Sequence, residues 1–206
     1  MSIYLSSRGA PGLADFIRDY AIGRRTCLVP IAADPAEDPS ELIRSTVEAI
    51  TSAALDVEFI AHAADGAEPP PPLTDFHVIV IGPGDPFYLL QRMRDLGLDA
   101  QLREAVNHGS VVVGIGAGAI VLGPSLDPWI QASHFAPEDG MYMEGLYLTE
   151  TVALPHADDP ERADIQAAII RRYAGHYPVV PLADGEAVIV SSEGTRKIGA
   201  PQPAAG

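Results

Sequence analysis

Short apolar runs alternate with helical patterns almost from the first residue of the chain. The runs that predict strands are Ile3 to Leu5, Thr26 to Ile31, Val57 to Ala61, His77 to Ile81, Val111 to Ile115 and Thr151 to Leu154. The stretches with helical spacing are Leu13 to Ile22, Pro39 to about Leu55, Phe87 to Leu96, Asp99 to His108, Ala117 to Leu122 and Asp159 to Tyr173. This alternation predicts an α/β fold, a mostly parallel sheet of about six or seven strands with helices on both faces.

Three further segments complete the organisation of the chain. The prolines from Pro69 to Pro72 predict a surface loop, and Asp127 to Met143 has the pattern of an irregular loop. Ala187 to Ser191 and Thr195 to Ile198 predict a closing hairpin. With 206 residues, 47% of them hydrophobic, we expect a single domain over residues 1–199, followed by a loose tail at 200–206.

Charge and cysteine content narrow the range of partners and compartments. Thirteen Lys and Arg stand against 28 Asp and Glu, a formal net charge of −15, which disfavours nucleic acid and anionic membranes as partners. The single Cys27 cannot form an internal disulfide, and the first thirty residues lack the pattern of a signal peptide. Glycines and a proline interrupt the longest apolar stretch, so we expect no membrane span and a cytoplasmic location.

The segment from Gly114 to Gly118 lies between a predicted buried strand and a predicted helix. This is the setting of a nucleophile elbow, a sharp turn that needs small neighbours and lifts one side chain above the sheet. Gly116 at its centre has no side chain and can do no nucleophilic chemistry. The alternative from spacing alone is a glycine-rich packing turn, which is equally common in α/β sheets.

Four segments, taken in order, resemble the family of dipeptidase E (aspartyl dipeptidase) and cyanophycinase, which are serine peptidases. Arg25 to Asp34 is similar to the family's second strand, and Ile81 to Leu90 to its Gly-Gly-Gly-Asn-Thr-Phe-x-Leu-Leu turn. Gly114 to Gly118 resembles its Gly-x-Ser-Ala-Gly elbow, and Leu154-Pro155-His156 the segment with its catalytic histidine. The resemblance covers nearly the whole chain. It implies a three-layer sandwich like that of class I glutamine amidotransferases, also described as flavodoxin-like.

The resemblance also implies an activity and roles for particular residues. The family hydrolyses peptide bonds after an acidic residue without a cofactor. Gly116 stands at the position of the nucleophile and His156 at that of the general base. Gly84 and Ala117 stand at the backbone donors of the oxyanion hole, the pair of N–H groups that stabilises the negative oxygen of the intermediate.

The acidic partner of His156 is less well defined by the resemblance. Asp127 is the first choice because the family acid also precedes a proline-containing turn after the elbow helix, and Asp139 and Glu144 are alternatives. Arg162 corresponds to the arginine that holds the substrate carboxylate in the family, although the loop before it is shorter here.

Three departures from the family pattern fall within the predicted site. Besides Gly116 in place of serine, Pro83 interrupts the triple-glycine turn and removes a backbone N–H. Asp85 replaces the asparagine of that turn and brings negative charge beside a pocket for an acidic substrate, where like charges disfavour binding. Together the departures argue against ordinary dipeptidase activity.

Three hypotheses for function remain open from the sequence. In the first, the chain has lost the serine and keeps a pocket that binds a small carboxylate or a peptide. In the second, His156 and a carboxylate act as acid and base in altered chemistry, and in the third, Gly116 was introduced into an active serine dipeptidase. We expect a small-molecule or peptide ligand, no cofactor and no metal, because His156 has no second histidine near it. Pairing into a homodimer through surface helices remains an alternative to a monomer.

Overall fold

The computed structural model describes residues 1–59, 71–133 and 140–200. The strands within these residues are β1 Ile3–Ser6, β2 Arg25–Val29, β3 Asp56–Phe59, β4 Val78–Ile81, β5 Val111–Ile115, β6 Val152–Pro155, β7 Val179–Leu182, β8 Glu186–Ser191 and β9 Gly194–Gly199. Seven of them form one sheet in the order β3-β2-β4-β5-β1-β8-β9, and the other two form a small parallel sheet, β6-β7. Strands β1 to β5 are parallel, and the hairpin β8-β9 continues the sheet antiparallel to β1.

Helices connect most of these strands. They are α1 Leu13–Tyr20, α2 Pro39–Ser52, α3 Pro86–Asp95, α4 Leu98–Asn107, α5 Ala117–Val121, α6 Asp127–Ser133 and α7 Ala163–Tyr173. Short 3₁₀ turns lie at Ile31–Ala33, Leu73–Asp75 and Pro160–Arg162.

The large sheet has an apolar core on each of its faces. Along β1, Tyr4 packs into the core that includes residues of α1, whereas Ile3 and Leu5 pack into the core that includes residues of α3, α4 and α7. Alternate residues of a strand point to opposite faces, so continuous apolar strands require helices on both sides. The predicted three-layer α/β fold is confirmed.

One prediction about local structure was wrong, and one strand was missed. Asp127–Ser133 is a helix rather than irregular loop, and Val179–Leu182 is a strand that the sequence analysis did not predict. Strand β6 pairs with this β7 rather than joining the large sheet. Strand β7 was missed because Pro178 and Pro181 argue against a central strand. An edge strand such as β7 tolerates proline.

Other predictions lie outside the described residues. These concern residues 60–70, which include part of the proline-rich loop, residues 134–139, and the tail at 201–206. Within the described residues, no helix has the length and apolar character needed to cross a bilayer.

Candidate active site

A cleft of about 870 Å³ opens where the carboxyl ends of several strands meet. Gly116 follows β5, Gly84 follows β4, Ser7 follows β1 and His156 follows β6, and all four residues line this cleft. In open α/β sheets the carboxyl ends of the strands form the usual ligand-binding crevice. The fold thus brings together segments that are far apart in the sequence.

The turn at Gly116 has the backbone shape of a nucleophile elbow. Its φ is 56° and its ψ is −113°, and its N–H donates a hydrogen bond of 3.0 Å to the carbonyl of Ser6. The turn leads directly from β5 into α5, as the elbow pattern requires. A Cβ built on Gly116 would lie 3.3 Å from Pro83 Cβ and 3.7 Å from the carbonyl oxygen of Ser7. A serine here would require Pro83 to shift by a few tenths of an ångström, and its backbone would be strained at this positive φ.

Two nearby glycines are required by close backbone contacts. At Gly84, with φ of 141°, a Cβ would lie 1.9 Å from the carbonyl oxygen of Ala32. At Gly118, a Cβ would lie 2.2 Å from the carbonyl oxygen of Ile81. Ala117 directly follows Gly116 and is the first residue of α5. The N–H groups in the first turn of a helix have no acceptor within the helix, so the N–H of Ala117 has none there. Gly84 and Ala117 both line the cleft, so the segments predicted to form the oxyanion hole flank Gly116.

His156 and Asp184 form a hydrogen-bonded pair at the edge of the small sheet. Nδ1 of His156 lies 2.8 Å from Oδ1 of Asp184, and their side chains are 27% and 19% exposed. An ionised carboxylate can only accept, so the proton of this bond belongs to Nδ1, and in the neutral ring Nε2 is left as the acceptor. This is the arrangement that a histidine needs to act as a general base.

Ser7 joins the two members of this pair. Its hydroxyl donates a hydrogen bond of 2.6 Å to Oδ1 of Asp184 and accepts one of 2.8 Å from the backbone N–H of His156. The side chain is almost completely buried. Ser7 thereby links the end of β1 in the large sheet to the small sheet that carries the pair.

The surroundings of Asp184 favour its charged form. Burial raises the pKa of the carboxyl, but the hydrogen bond from Ser7, the contact with His156 and the charge of Arg8 outweigh it, and the pKa lies below its ordinary value. Arg8 Nε is 3.5 Å from Oδ2 of Asp184. Asp184 is therefore ionised at neutral pH.

The acidic partner of His156 in the structure is Asp184 and not Asp127. Asp127 begins α6 and is exposed, its N–H bonded to Oγ of Ser125, and it does not line the cleft. Glu144 does not line it either, and its carbonyl accepts a hydrogen bond from Arg94 on α3. The other alternative, Asp139, lies outside the described residues. The sequence analysis chose Asp127 because it assumed that the acid follows the elbow helix.

Arg162 and Asp85 line the cleft, and each has a partner within the chain. Arg162 Nε lies 3.0 Å from Oδ2 of Asp159, whose Oδ1 accepts the N–H of Glu161 and caps the 3₁₀ turn at Pro160–Arg162. Oδ1 of Asp85 accepts the N–H groups of Phe87 and Tyr88 at 2.8 and 2.9 Å. The carboxylate of Asp85 therefore caps α3, and Asp85 also lines the cleft.

The residues that the sequence analysis missed are Ser7, Arg8 and Asp184. Each follows a strand directly or by one or two positions, at the edge where the other site residues lie. The sequence signal for Asp184 was a polar residue shortly after the apolar run of β7. Pro178 and Pro181 made that run difficult to recognise as a strand. Within the described residues, no group of three or more His, Cys, Asp or Glu side chains is placed to hold a metal ion.

Comparison with known proteins assigns the chain to a family. A profile of Peptidase family S51 matches residues 7–198. The chain belongs to peptidase family S51. This is the dipeptidase E family, as the sequence resemblance predicted, and the match includes strands of both the large sheet and the small one.

Relatives in other bacteria support the assignment at low sequence identity. Peptidase E of Citrobacter koseri is 25% identical over 210 residues, covering 97% of this chain and 90% of that protein. An uncharacterized peptidase of Listeria monocytogenes is 25% identical over 171 residues, covering 82% of each chain. Among solved structures, a peptidase from an acI-B1 Actinobacterium has a TM-score of 0.68 at 18% identity, covering 97% of this chain and 87% of that one.

A second solved structure, of a protein from Listeria monocytogenes EGD-e, has a TM-score of 0.74 at 20% identity. It covers 97% of this chain and 98% of that chain. The TM-scores of both structures show that the fold is shared along nearly the whole chain.

Proposed function

We propose that this family S51 protein binds a peptide or a small carboxylate in its cleft and does not cleave peptide bonds through a serine intermediate. The observation that carries this proposal is Gly116 at the centre of an elbow whose backbone retains the required shape. Covalent catalysis requires a nucleophilic side chain at this point, activated by an adjacent base. Gly116 has none, whereas His156 and Asp184 form a hydrogen-bonded pair in the same site.

Charges of both signs line the cleft, which favours a peptide over a simple dicarboxylate. Arg8 and Arg162 are the basic residues of the lining, and both side chains are more than half exposed. The acidic residues of the lining are Asp85, Asp159 and Glu161. A short peptide carries an amino group and a carboxylate, so it can pair with both signs, whereas a dicarboxylate meets like charge.

Calorimetric titration with the dipeptide Asp-Leu tests this binding. The matched probes are Asp-Leu amide, which lacks the terminal carboxylate, and N-acetyl-Asp-Leu, which lacks the amino charge. Ala36→Trp places a large side chain in the cleft lining, and Ala100→Trp, at an exposed position of α4 outside the lining, is its control. We expect intact binding in A100W and at least about tenfold weaker binding in A36W, a loss of about 1.4 kcal/mol.

Three results would overturn the proposal. Equal heats for A36W and A100W, or no binding of any probe to the native chain, would remove the cleft as a peptide site. Release of free aspartate from Asp-Leu by the native chain, blocked by a serine-directed reagent, would remove the claim that peptidase activity is lost.

A second candidate function is favoured by the retained pair of His156 and Asp184. The ring of His156 lines the cleft and can act as a general base on a bound water or on an acidic proton of the ligand. Such proton transfer typically contributes about 10²–10⁴-fold to a rate. If turnover of any ligand is found, we expect His156→Ala to reduce kcat by that factor, and unchanged turnover in H156A would exclude this candidate.

A further inference from the structure

The backbone of His156 is in the left-handed region, with φ of 60°. A residue with a side chain adopts this region only at a cost, and the conformation persists where neighbouring groups hold it. Strand β6 ends at Pro155, so the left-handed turn comes at the point where the chain must leave the strand and direct the ring of His156 towards Asp184.

Gln166 of α7 holds the peptide groups on the carbonyl side of this turn. Its Nε2 donates hydrogen bonds of 3.1 Å to the carbonyl of Pro155 and of 2.9 Å to the carbonyl of His156. Both acceptors are carbonyl oxygens, so the amide must turn its nitrogen towards them and uses both of its protons. The side chain is only 6% exposed, which excludes competing water from these bonds.

The N–H side of the same turn is also held. The backbone N–H of His156 donates to Oγ of Ser7, and the N–H of Ala157 donates to the carbonyl of Leu182 at 2.9 Å. The carbonyl of His156 also accepts the N–H of Asp159 at 3.1 Å. Among the side chains described, Gln166 is the one that reaches the carbonyls on both sides of the His156 α-carbon.

We propose that Gln166 is a positioning residue that fixes the left-handed backbone of His156 and thereby keeps its Nδ1 bonded to Asp184. This role of Gln166 goes beyond the proposed function. It rests on the proposed function only in assuming that a ligand in the cleft contacts the His156–Asp184 pair. Gln166 itself does not line the cleft. Its effect on any ligand is exerted through the orientation of the His156 ring.

The competing explanation is that Gln166 only anchors α7 to β6. A matched control for this exists on α3, where Gln91 also forms two hydrogen bonds to one backbone segment. Its Nε2 donates to the carbonyl of Tyr142 at 3.0 Å, and its Oε1 accepts the N–H of Tyr142 at 3.1 Å. Gln91 is not among the residues that line the cleft. A purely structural role predicts that Gln166 and Gln91 variants behave alike.

NMR spectroscopy of the full chain distinguishes these explanations without a ligand or turnover. The variants are Gln166→Met, which keeps the length and loses both donors, Gln166→Glu as a second variant of nearly the same size, and the control Gln91→Met. The readouts are the Nδ1–H resonance of His156 and the titration of the Asp184 carboxyl. The charged or polar groups that face this carboxyl are Ser7, Arg8 and His156, and the N–H of Asp184 donates to Asp158.

We expect Q166M and Q166E to lose the Nδ1–H signal of the bonded form, and Q166M to raise the titration midpoint of Asp184, because the His156 contact is loosened. Q91M should lower the melting temperature but leave both signals in place. Unchanged signals in the folded Gln166 variants, or equal changes in Q91M, would overturn the proposal. If Q166M does not fold, Q166E alone decides between these outcomes. These spectra are recorded without a ligand, so they do not depend on whether the chain binds peptides. The role of Gln166 and the proposed peptide binding can therefore be refuted independently of each other.

Discussion

Nδ1 of His156 lies 2.8 Å from Oδ1 of Asp184, and the two residues follow β6 and β7, the paired strands of the small sheet. Pro155 is aligned with Leu182 in that pair, so the residues that follow each strand leave it at the same edge. The elbow at Gly116 comes from the large sheet. The site is therefore assembled across two sheets, joined by the hydroxyl of Ser7.

The charge of Asp184 is expected to contribute to stability at neutral pH. Its pKa is lower in the folded chain than its ordinary value, so its contribution is present above about pH 4 and is lost as the pH falls through the folded value. Asp184→Asn should lower the free energy of unfolding by roughly 1–3 kcal/mol at pH 7, and less at pH 3. Urea unfolding at both values measures this, with the exposed Glu37→Gln as control. Parallel pH profiles for D184N and the native chain would contradict the expectation.

Close packing of α5 against β4 predicts a large difference between two glycine substitutions. A Cβ at Gly118 would lie 2.2 Å from a backbone oxygen of Ile81, whereas one at Gly175 would have nothing within 4 Å. Gly118→Ala should destabilise the chain by about 1–3 kcal/mol or more, because backbone must move. Gly175→Ala should change stability by no more than about 0.5 kcal/mol. Thermal unfolding of both variants tests this, and similar melting temperatures would refute it.

Asp85 is expected to have two separable effects, one on α3 and one on the cleft. Because its carboxylate caps the helix, Asp85→Ala should cost about 1 kcal/mol of stability, while Asp85→Asn should retain most of the cap. Asn also removes a negative charge from the cleft, so D85N should bind Asp-Leu more tightly, and the gain should shrink at high salt. Thermal unfolding and calorimetry at two ionic strengths measure the two effects. If D85N were as unstable as D85A, the capping role would be wrong.

The thiol of Cys27 is expected to be inert in the folded chain. It is fully buried in β2, and burial raises its pKa to about 12, so almost no thiolate is present at neutral pH. Ellman's reagent should label it only after unfolding. Rapid labelling of the native chain would show that β2 opens readily or that the thiol is accessible.

The large sheet and its helices could be predicted from the sequence because their signals are local. Continuous apolar strands such as Val111–Ile115 and capped helices such as α3 are fixed by residues close in sequence. The elbow could be recognised for the same reason, because Gly114 to Gly118 form one short motif.

The partner of His156 could not be predicted in this way. Asp184 is brought to His156 by the pairing of β6 with β7, a tertiary contact that no local pattern encodes. The same holds for Ser7, which joins the site from the first strand. Helix α6 was missed because its seven residues are too few to show a repeat of apolar positions at helical spacing.

The absence of a nucleophile at Gly116 is the central claim, and hydrolysis of Asp-Leu by the native chain and by Gly116→Ser tests it most directly. His156→Ala in the G116S background is the control for use of the retained base. We expect no serine-reagent-sensitive hydrolysis by the native chain, and hydrolysis by G116S that depends on His156, because a Cβ at this position needs Pro83 to shift by only a few tenths of an ångström. Robust hydrolysis by the native chain, abolished by a serine-directed reagent, would contradict the account.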